Sequence, residues 1–231
     1  TRPYAPEIYH PSKWRAWLDF GTGWSGDIGC HVFDATWKAL DLTAPKTIHA
    51  RVQDSWKNSK PRRGDTWPQS DHITWTFPGN SLTEKDEITI EWFDGLFYPP
   101  EEAQKWYHGD KYPPESALIV GTEGAVLIPN GGGAMLLPRD KYKGTIKPDL
   151  DPRNHYHHFL DAILGKTKNE SYFEQTGPMT EAILLGTVAI RNPDQKLQWD
   201  AKNLAIRNNP TANKLIKRTY REGWEVEGFS A

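Results

Sequence analysis

The chain has 231 residues, and its 28 basic and 30 acidic side chains leave a net charge of −2. A balance this close to neutral argues against a surface built for nucleic acid or for an acidic membrane. The single cysteine, Cys30, excludes an internal disulfide bond and an all-cysteine metal site. No apolar run approaches the roughly 20 residues of a membrane-spanning helix, so we expect a soluble protein, of either the cytoplasm or the periplasm.

The chain begins at Thr1, without an initiator methionine or a visible signal peptide. We therefore expect a fragment or a processed product. No clear linker divides the sequence, and its length suits one large domain or two small ones. We predict a single domain over residues 1–231.

The strongest chemical pattern is the glycine-rich segment 21–34. Its first glycines, Gly21, Gly23 and Gly26, have the spacing of a dinucleotide-binding fingerprint and precede a helix predicted over 27–40. That fingerprint requires a buried parallel strand before it, inside a βαβ unit. Residues 13–20 are too charged and too rich in tryptophan for such a strand. We therefore do not interpret these glycines as a nucleotide loop.

Asp27 and His31 are four residues apart on the predicted helix, so they lie about 40° apart around its axis and share one face. A carboxylate beside an imidazole can orient the ring and raise its basicity, which makes the pair a candidate catalytic centre. The alternative is the polar stripe of an amphipathic helix, continued by Asp34 and Lys38. Asp27 could also be an acid that caps the helix start.

Basic and aromatic side chains surround the glycine-rich segment. Charged groups can donate hydrogen bonds to a polyol, and tryptophan rings can stack on a sugar, so we name Lys13, Arg15, Trp17 and Trp24 as candidate substrate-binding residues. The alternative is ordinary surface and packing roles. With eleven tryptophans in the chain, core packing is the commoner use of each.

Alternation of apolar and polar residues predicts strands at 47–53, 72–77 and 87–93. One face of each strand is polar, as in an antiparallel sheet that helices cover on one side. Shorter strands are predicted at 116–120, 125–128, 134–137 and 196–200, with a tight hairpin turn at 121–124.

Helix signals dominate the last third of the sequence. Proline and glycine boundaries predict helices over 154–164, opened by residues 151–152, and over 179–191 and 212–221. The predicted class is therefore α+β, with an open, mainly antiparallel sheet and helices packed on one face. His155, His157 and His158 give only a weak metal-binding pattern, so we predict no metal site.

Three segments carry no clear strand or helix pattern. Residues 1–20 are predicted to be irregular, and the polar segments 55–70 and 98–115 to be long loops. Loops of that length in a compact domain are usually functional or interaction segments, and solvated insertions are the alternative.

Five motifs resemble the Gfo/Idh/MocA oxidoreductases, the relatives of glucose–fructose oxidoreductase and inositol dehydrogenase. They are KWRAWLDFGTG at 13–23, GDIGCHVFD at 26–34, GTEG at 121–124, NHYHHFLDAI at 154–163 and YREGW at 220–224. The resemblance extends over nearly the whole chain but corresponds only to the second half of such an enzyme. Its most specific part is the D-x-x-x-H element of Asp27 and His31.

The resemblance implies an NAD- or NADP-binding Rossmann domain that precedes this chain, followed by the α+β domain that shapes the substrate site. It implies that His31 is the catalytic histidine and that Asp27 pairs with it or contacts the substrate. It also implies a homo-oligomer that associates through sheet faces. The lysine of the family's Glu-Lys-Pro motif is not in this sequence.

The expected function is thus that of the C-terminal substrate domain of an NAD(P)-dependent oxidoreductase, acting on a sugar or polyol hydroxyl. We expect this chain alone to be inactive. One alternative is a non-catalytic carbohydrate-binding or assembly module, which the tryptophan content favours. Another is an enzyme that cleaves glycosides with transient help from a bound nicotinamide, as some relatives do.

Overall fold

The computed structural model describes residues 3–107, 112–145, 153–217 and 219–226. Within these ranges the helices are α1 (Gly23–Ala39), α2 (Asp54–Lys57), α3 (Lys60–Asp65), α4 (Glu101–Gln104), α5 (His155–Ile163), α6 (Phe173–Arg191) and α7 (Pro210–Asn213). The strands are β1 (Thr47–Val52), β2 (Asp71–Pro78), β3 (Glu87–Phe93), β4 (Ser116–Val120), β5 (Ala125–Pro129), β6 (Met135–Leu137), β7 (Leu197–Asp200) and β8 (Ala205–Ile206). Short 3-10 helices form at Pro11–Ala16 and Lys105–Tyr107. The strand pairs are antiparallel, so the predicted α+β class is confirmed.

The larger sheet has the strand order β3-β2-β1-β7-β8. Its apolar face follows the predicted alternation, because every second residue of β1 and β2 is buried. Helix α6 packs against β1 and β2, and α1 packs against α6. The main core lies between this sheet and the two helices. Each large aliphatic side chain buried there contributes about 1.5–3 kcal/mol.

Two glycines let these layers approach closely. A Cβ atom at Gly186 of α6 would lie 2.6 Å from a ring carbon of Trp75. At Gly29 of α1, a Cβ atom would lie 3.2 Å from the side chain of Ile183. The short distances from α6 to the sheet and from α1 to α6 therefore require glycine at these two positions.

A second sheet of order β4-β5-β6 forms separately from the first. The hairpin turn predicted at 121–124 is confirmed, with the Gly121 N–H donating to the Gly124 carbonyl over 2.7 Å. Ala125, Leu127 and Leu137 form a small core of its own, and β4 and β5 contact α1. The sequence pattern predicts these strands but not the division into two sheets, because alternation does not specify which strands pair.

Several predicted helix bounds are wrong. Helix α1 begins at Gly23 and not at residue 27, because the low helix propensity of glycine is outweighed by tertiary packing. Helix α6 begins at Phe173, with Pro178 inside it. A proline removes one backbone donor, but Gln175 and Thr176 still donate to the Tyr172 carbonyl and continue the helix from its start.

The predicted final helix over 212–221 is reduced to Pro210–Asn213, and residue 218 lies outside the described residues. Segment 55–70 is not an open loop, because it forms α2 and α3; Ser59 caps α3 by accepting from the Arg62 N–H. Segment 98–115 contains α4, while its residues 108–111 lie outside the described ranges, as do residues 151–152. Residues 3–20 are irregular except for the 3-10 helix.

No helix in the described part of the chain is both long enough and apolar enough to span a membrane.

Candidate functional site

The start of α1 is held against the segment that follows α3. Gly23 has a φ of +77°, and a Cβ atom there would lie 3.3 Å from the Trp67 ring. The Trp67 Nε1–H donates to the Gly21 carbonyl over 2.8 Å. A Cβ atom at Gly21 would lie 2.7 Å from the Cα atom of Arg15. These glycines are therefore required where the chain packs on itself, and the packing fixes where α1 begins.

Arg15, Trp24 and Asp27 come together at this end of α1. The Arg15 Nε–H donates to Asp27 Oδ2 over 2.7 Å, and the Arg15 guanidinium lies 4.7 Å from the centre of the Trp24 ring. The side chains of Arg15 and Asp27 remain 35% and 39% exposed. An ion pair as exposed as this one contributes about 0–1 kcal/mol to stability. Its main effect is to fix the orientation of both groups.

His31 lies one turn after Asp27 on α1 and is exposed. The sequence suggests that Asp27 orients this imidazole, but the carboxylate is instead bound by Arg15. Asp27 is also not a capping acid, because it is the fifth residue of α1. His31 has no hydrogen-bond partner among the described residues. Its ring is thus accessible to a molecule that binds at this surface.

The remaining residues of the polar stripe on α1 have partners within the fold. Asp34 pairs with Lys38 over 3.3 Å and accepts from the Gln175 amide over 2.9 Å. Asp27 is bound by Arg15. His31 is therefore the one member of the predicted stripe that lacks a polar partner within the described residues.

The other two predicted substrate-binding residues lie on either side of Arg15 in the segment before α1. Lys13 is exposed on the 3-10 helix, and its backbone N–H donates to the His10 carbonyl. Trp17 is partly buried, with its ring edge-on to Tyr9 at 5.5 Å, and it forms an isolated bridge with Thr66. The structure therefore groups Arg15 and Trp24 with Asp27 and places Trp17 in an aromatic cluster.

The described residues do not form a site for a dinucleotide. Their strands pair in antiparallel fashion, and a 3-10 helix, not a buried parallel strand, precedes the glycines. Gly21 and Gly23 pack against Arg15 and Trp67, which leaves no room for a pyrophosphate. Within the same residues, no group of three histidine, cysteine or acidic side chains could hold a metal ion.

Two residues that support the site lie far from it in sequence. Trp67 holds the glycine segment, and Gln175 binds Asp34. Nothing in the local sequence around either residue indicates such a contact, because both depend on how distant elements pack. The tight spacing of glycines at 21–26 is the only local signal that another part of the chain approaches there.

A comparison of this chain with models of known protein families found no match, and a comparison with curated proteins found none either.

Proposed function

We propose that this chain is the substrate domain of an NAD(P)-dependent oxidoreductase that acts on a sugar or polyol hydroxyl, with His31 as the residue that accepts and donates the proton. The observation that carries the proposal is the accessible, unpartnered imidazole of His31, one turn from a carboxylate that Arg15 holds in place. The motif resemblance at Asp27 and His31 supports the same assignment.

His31 accepts the hydroxyl proton when the attached carbon is oxidised and returns it in the reverse reaction. An imidazole suits this exchange because it can gain and lose a proton near neutral pH. Arg15 keeps the Asp27 carboxylate at this end of the helix.

Arg15 and Trp24 supply the means of binding a polyhydroxyl compound. The guanidinium has N–H donors besides the Nε–H that Asp27 accepts, and these can donate to hydroxyl groups. The Trp24 ring beside the guanidinium offers an aromatic face to a sugar ring.

NAD or NADP would be bound by the Rossmann domain that the motif resemblance implies, because the described residues do not form a dinucleotide site. This division makes a second function worth testing, that of a carbohydrate-binding module without catalysis. It would use Arg15 and Trp24 in the same way but would not need His31.

Nuclear magnetic resonance of the 231-residue chain, titrated with hexoses and polyols, tests the binding part of the proposal. We expect saturable shifts of the His31 ring resonances. We expect Trp24→Ala to raise the dissociation constant obtained from these shifts about tenfold. Shifts confined to Trp24, with the His31 resonances unmoved, would favour the binding module. No saturable shift with any of these compounds would count against both functions.

We also propose that a second copy of the chain packs on the outer face of β1, β2 and β3. This face combines polar and aromatic side chains, with His72 stacked on Phe93 at 4.3 Å and the Arg51 guanidinium 5.6 Å from the centre of the Phe97 ring. Such a mixture of aromatic and arginine side chains is typical of protein interfaces. The homo-oligomer implied by the motif resemblance would use this face.

A further inference from the structure

An open pocket of about 510 Å³ lies between α2, α3, the end of α6 and the segment from α7. Four basic side chains line it: Lys57, Lys60, Arg63 and Arg191. It is not the site at the start of α1, because none of its lining residues belongs to α1 or to the segment before it. The concentration of positive charge contrasts with the net charge of −2 for the whole chain.

The two arginines are brought together by a direct contact. Arg63 Nη2–H donates to the Arg191 backbone carbonyl over 3.3 Å. Arg191 is partly buried, and both this burial and the nearby charge of Arg63 lower the pKa of its guanidinium. The two positive charges are therefore held close together in a place where water solvates them less well.

Tryptophan rings fix the position of each guanidinium. Arg63 lies 5.7 Å from the centre of the Trp56 ring, and Arg191 lies 5.9 Å from the centre of the Trp67 ring. Trp56 and Trp67 are buried, so these platforms do not move easily. Two guanidinium groups placed in advance lose little conformational entropy when they bind an anion.

Acidic side chains near the pocket neutralise only part of its positive charge. Lys57 forms an ion pair with Asp194. Lys60, Arg63 and Arg191 have no carboxylate partner within the described residues. Like charges held together and partly removed from water destabilise a fold unless an opposite charge compensates them.

We propose that this pocket binds a phosphate group, either as free phosphate or as part of a phosphorylated small molecule. Guanidinium groups match phosphate oxygens with paired N–H donors, and three uncompensated cations suit a doubly charged anion better than a single carboxylate. The pocket is larger than inorganic phosphate requires, so an organic part fits beside the phosphate group. This site is independent of the function proposed for His31.

Isothermal titration calorimetry of the chain with inorganic phosphate and with a hexose 6-phosphate tests the proposal. We expect saturable binding of either probe. In thermal unfolding experiments we also expect either probe to raise the melting temperature, because a ligand that binds only the folded state stabilises it. Arg63→Gln should weaken binding about tenfold or more, and Lys60→Gln about threefold. Equal affinities would assign recognition to the phosphate group alone, and tighter binding of the hexose phosphate would assign contacts to its sugar.

Arg62→Gln is the matched control, because Arg62 neighbours Arg63 on α3 but lines a different pocket, with Pro61 and Trp67. This variant removes the same charge and should change the dissociation constant less than about twofold in 0.15 M salt. Lys60 is exposed, so Lys60→Gln should leave the fold intact. If circular dichroism shows that Arg63→Gln is unfolded, the affinity of Lys60→Gln tests the proposal. No saturable binding of either probe, or unchanged binding by Lys60→Gln and by a folded Arg63→Gln, would overturn the proposal.

Discussion

Asp71 and Asp94 lie side by side where β2 begins and β3 ends. The Asp71 backbone N–H donates to Asp94 Oδ1 over 2.6 Å, and the Trp92 Nε1–H donates to Asp94 Oδ2 over 3.0 Å. Asp71 is only 2% exposed, and its Oδ1 atom has no hydrogen-bond partner within the described residues. Burial, with a smaller contribution from the Asp94 charge, raises the pKa of Asp71 well above its ordinary value.

The raised pKa of Asp71 makes the stability of the fold depend on pH. Between its ordinary pKa and the raised one, the folded state keeps a proton that the unfolded state has lost, so the free energy of unfolding falls as pH rises. Asp71→Asn keeps the shape of the side chain and removes the charge. We expect this variant to be more stable than the parent at pH 7.5. We also expect its free energy of unfolding to fall much less as the pH rises.

Urea unfolding at a series of pH values from 4 upward measures the effect on Asp71→Asn. Asp86→Asn, at an exposed position in the turn between β2 and β3, serves as the control and should keep the parental pH profile. A decline in Asp71→Asn as steep as that of the parent would show that the Asp71 carboxyl is not the group responsible.

Arg15 orients the candidate site without contributing much to the stability of the fold. Arg15 forms an ion pair with Asp27, and the side chain of Asp27 is more than a third exposed. Arg15→Gln should therefore change the free energy of unfolding by less than about 1 kcal/mol. In the full-length oxidoreductase that we propose, we expect the same change to raise KM for a sugar or polyol about tenfold, because a charged hydrogen bond to the substrate is lost. Steady-state kinetics and thermal unfolding separate the two effects, and a large loss of stability would instead make Arg15 a structural residue.

At the scale of elements, helix α6 is held on the sheet by a contact that a glycine permits. Gly186 lies over Trp75, whose Nε1–H donates to the Ala182 carbonyl over 2.8 Å. Since Trp75 is buried and hydrogen-bonded to the same helix, its ring cannot move aside freely. The methyl group of an alanine at this position must displace the ring or the helix.

We therefore expect Gly186→Ala to lower the free energy of unfolding by about 1–3 kcal/mol, as overpacking does in other cores. Chemical denaturation measures the change. Gly64→Ala is the control, because a Cβ atom at Gly64 of α3 has no heavy atom within 4 Å. That variant should be neutral or slightly stabilising, and an equal loss in both variants would refute the packing explanation.

The strands could be predicted well from the sequence, whereas several helix ends could not. Strands β1, β2 and β3 match the predicted ranges to within a residue, because one buried face imposes a period of two. Helix ends depend on glycine and proline signals, which distant contacts override at Gly23 and Pro178. The helices in segment 55–70 are only four and six residues long, too short to leave a periodic pattern.

On the scale of the whole molecule, the outer face of the larger sheet is the surface that we expect to associate. Thr74 lies near the middle of this face, opposite His49 on β1 and Glu91 on β3. We expect Thr74→Arg to dissociate the oligomer, because a long charged side chain at this position obstructs the close packing of a second copy. The fold should remain intact, since the outer face is not part of the main core.

Analytical ultracentrifugation over a range of concentrations measures association of Thr74→Arg and the parent. Thr180→Arg, an equal change at an exposed position on α6, should behave like the parent. A parent chain that stays monomeric at high concentration would contradict association through the sheet.

The candidate site illustrates what a sequence pattern can and cannot predict. The shared face of Asp27 and His31 follows from helix geometry alone, and α1 includes both residues. The pairing of Asp27 with Arg15 and the support from Trp67 were not predictable, because they join the helix to segments that only the fold brings near. The basic pocket was missed for the same reason, since Arg63 and Arg191 are separated by most of the chain.

The most direct test of the proposed function replaces His31 in the full-length oxidoreductase that we propose. Steady-state oxidation of sugars and polyols, followed by nicotinamide absorbance, compares the parent with His31→Gln and with His157→Gln, an exposed histidine on α5. We predict that His31→Gln lowers kcat by about 10²–10⁴-fold, because the proton acceptor is lost, and that His157→Gln retains parental turnover. Near-parental turnover by His31→Gln on a substrate that the parent oxidises would contradict the proposed function.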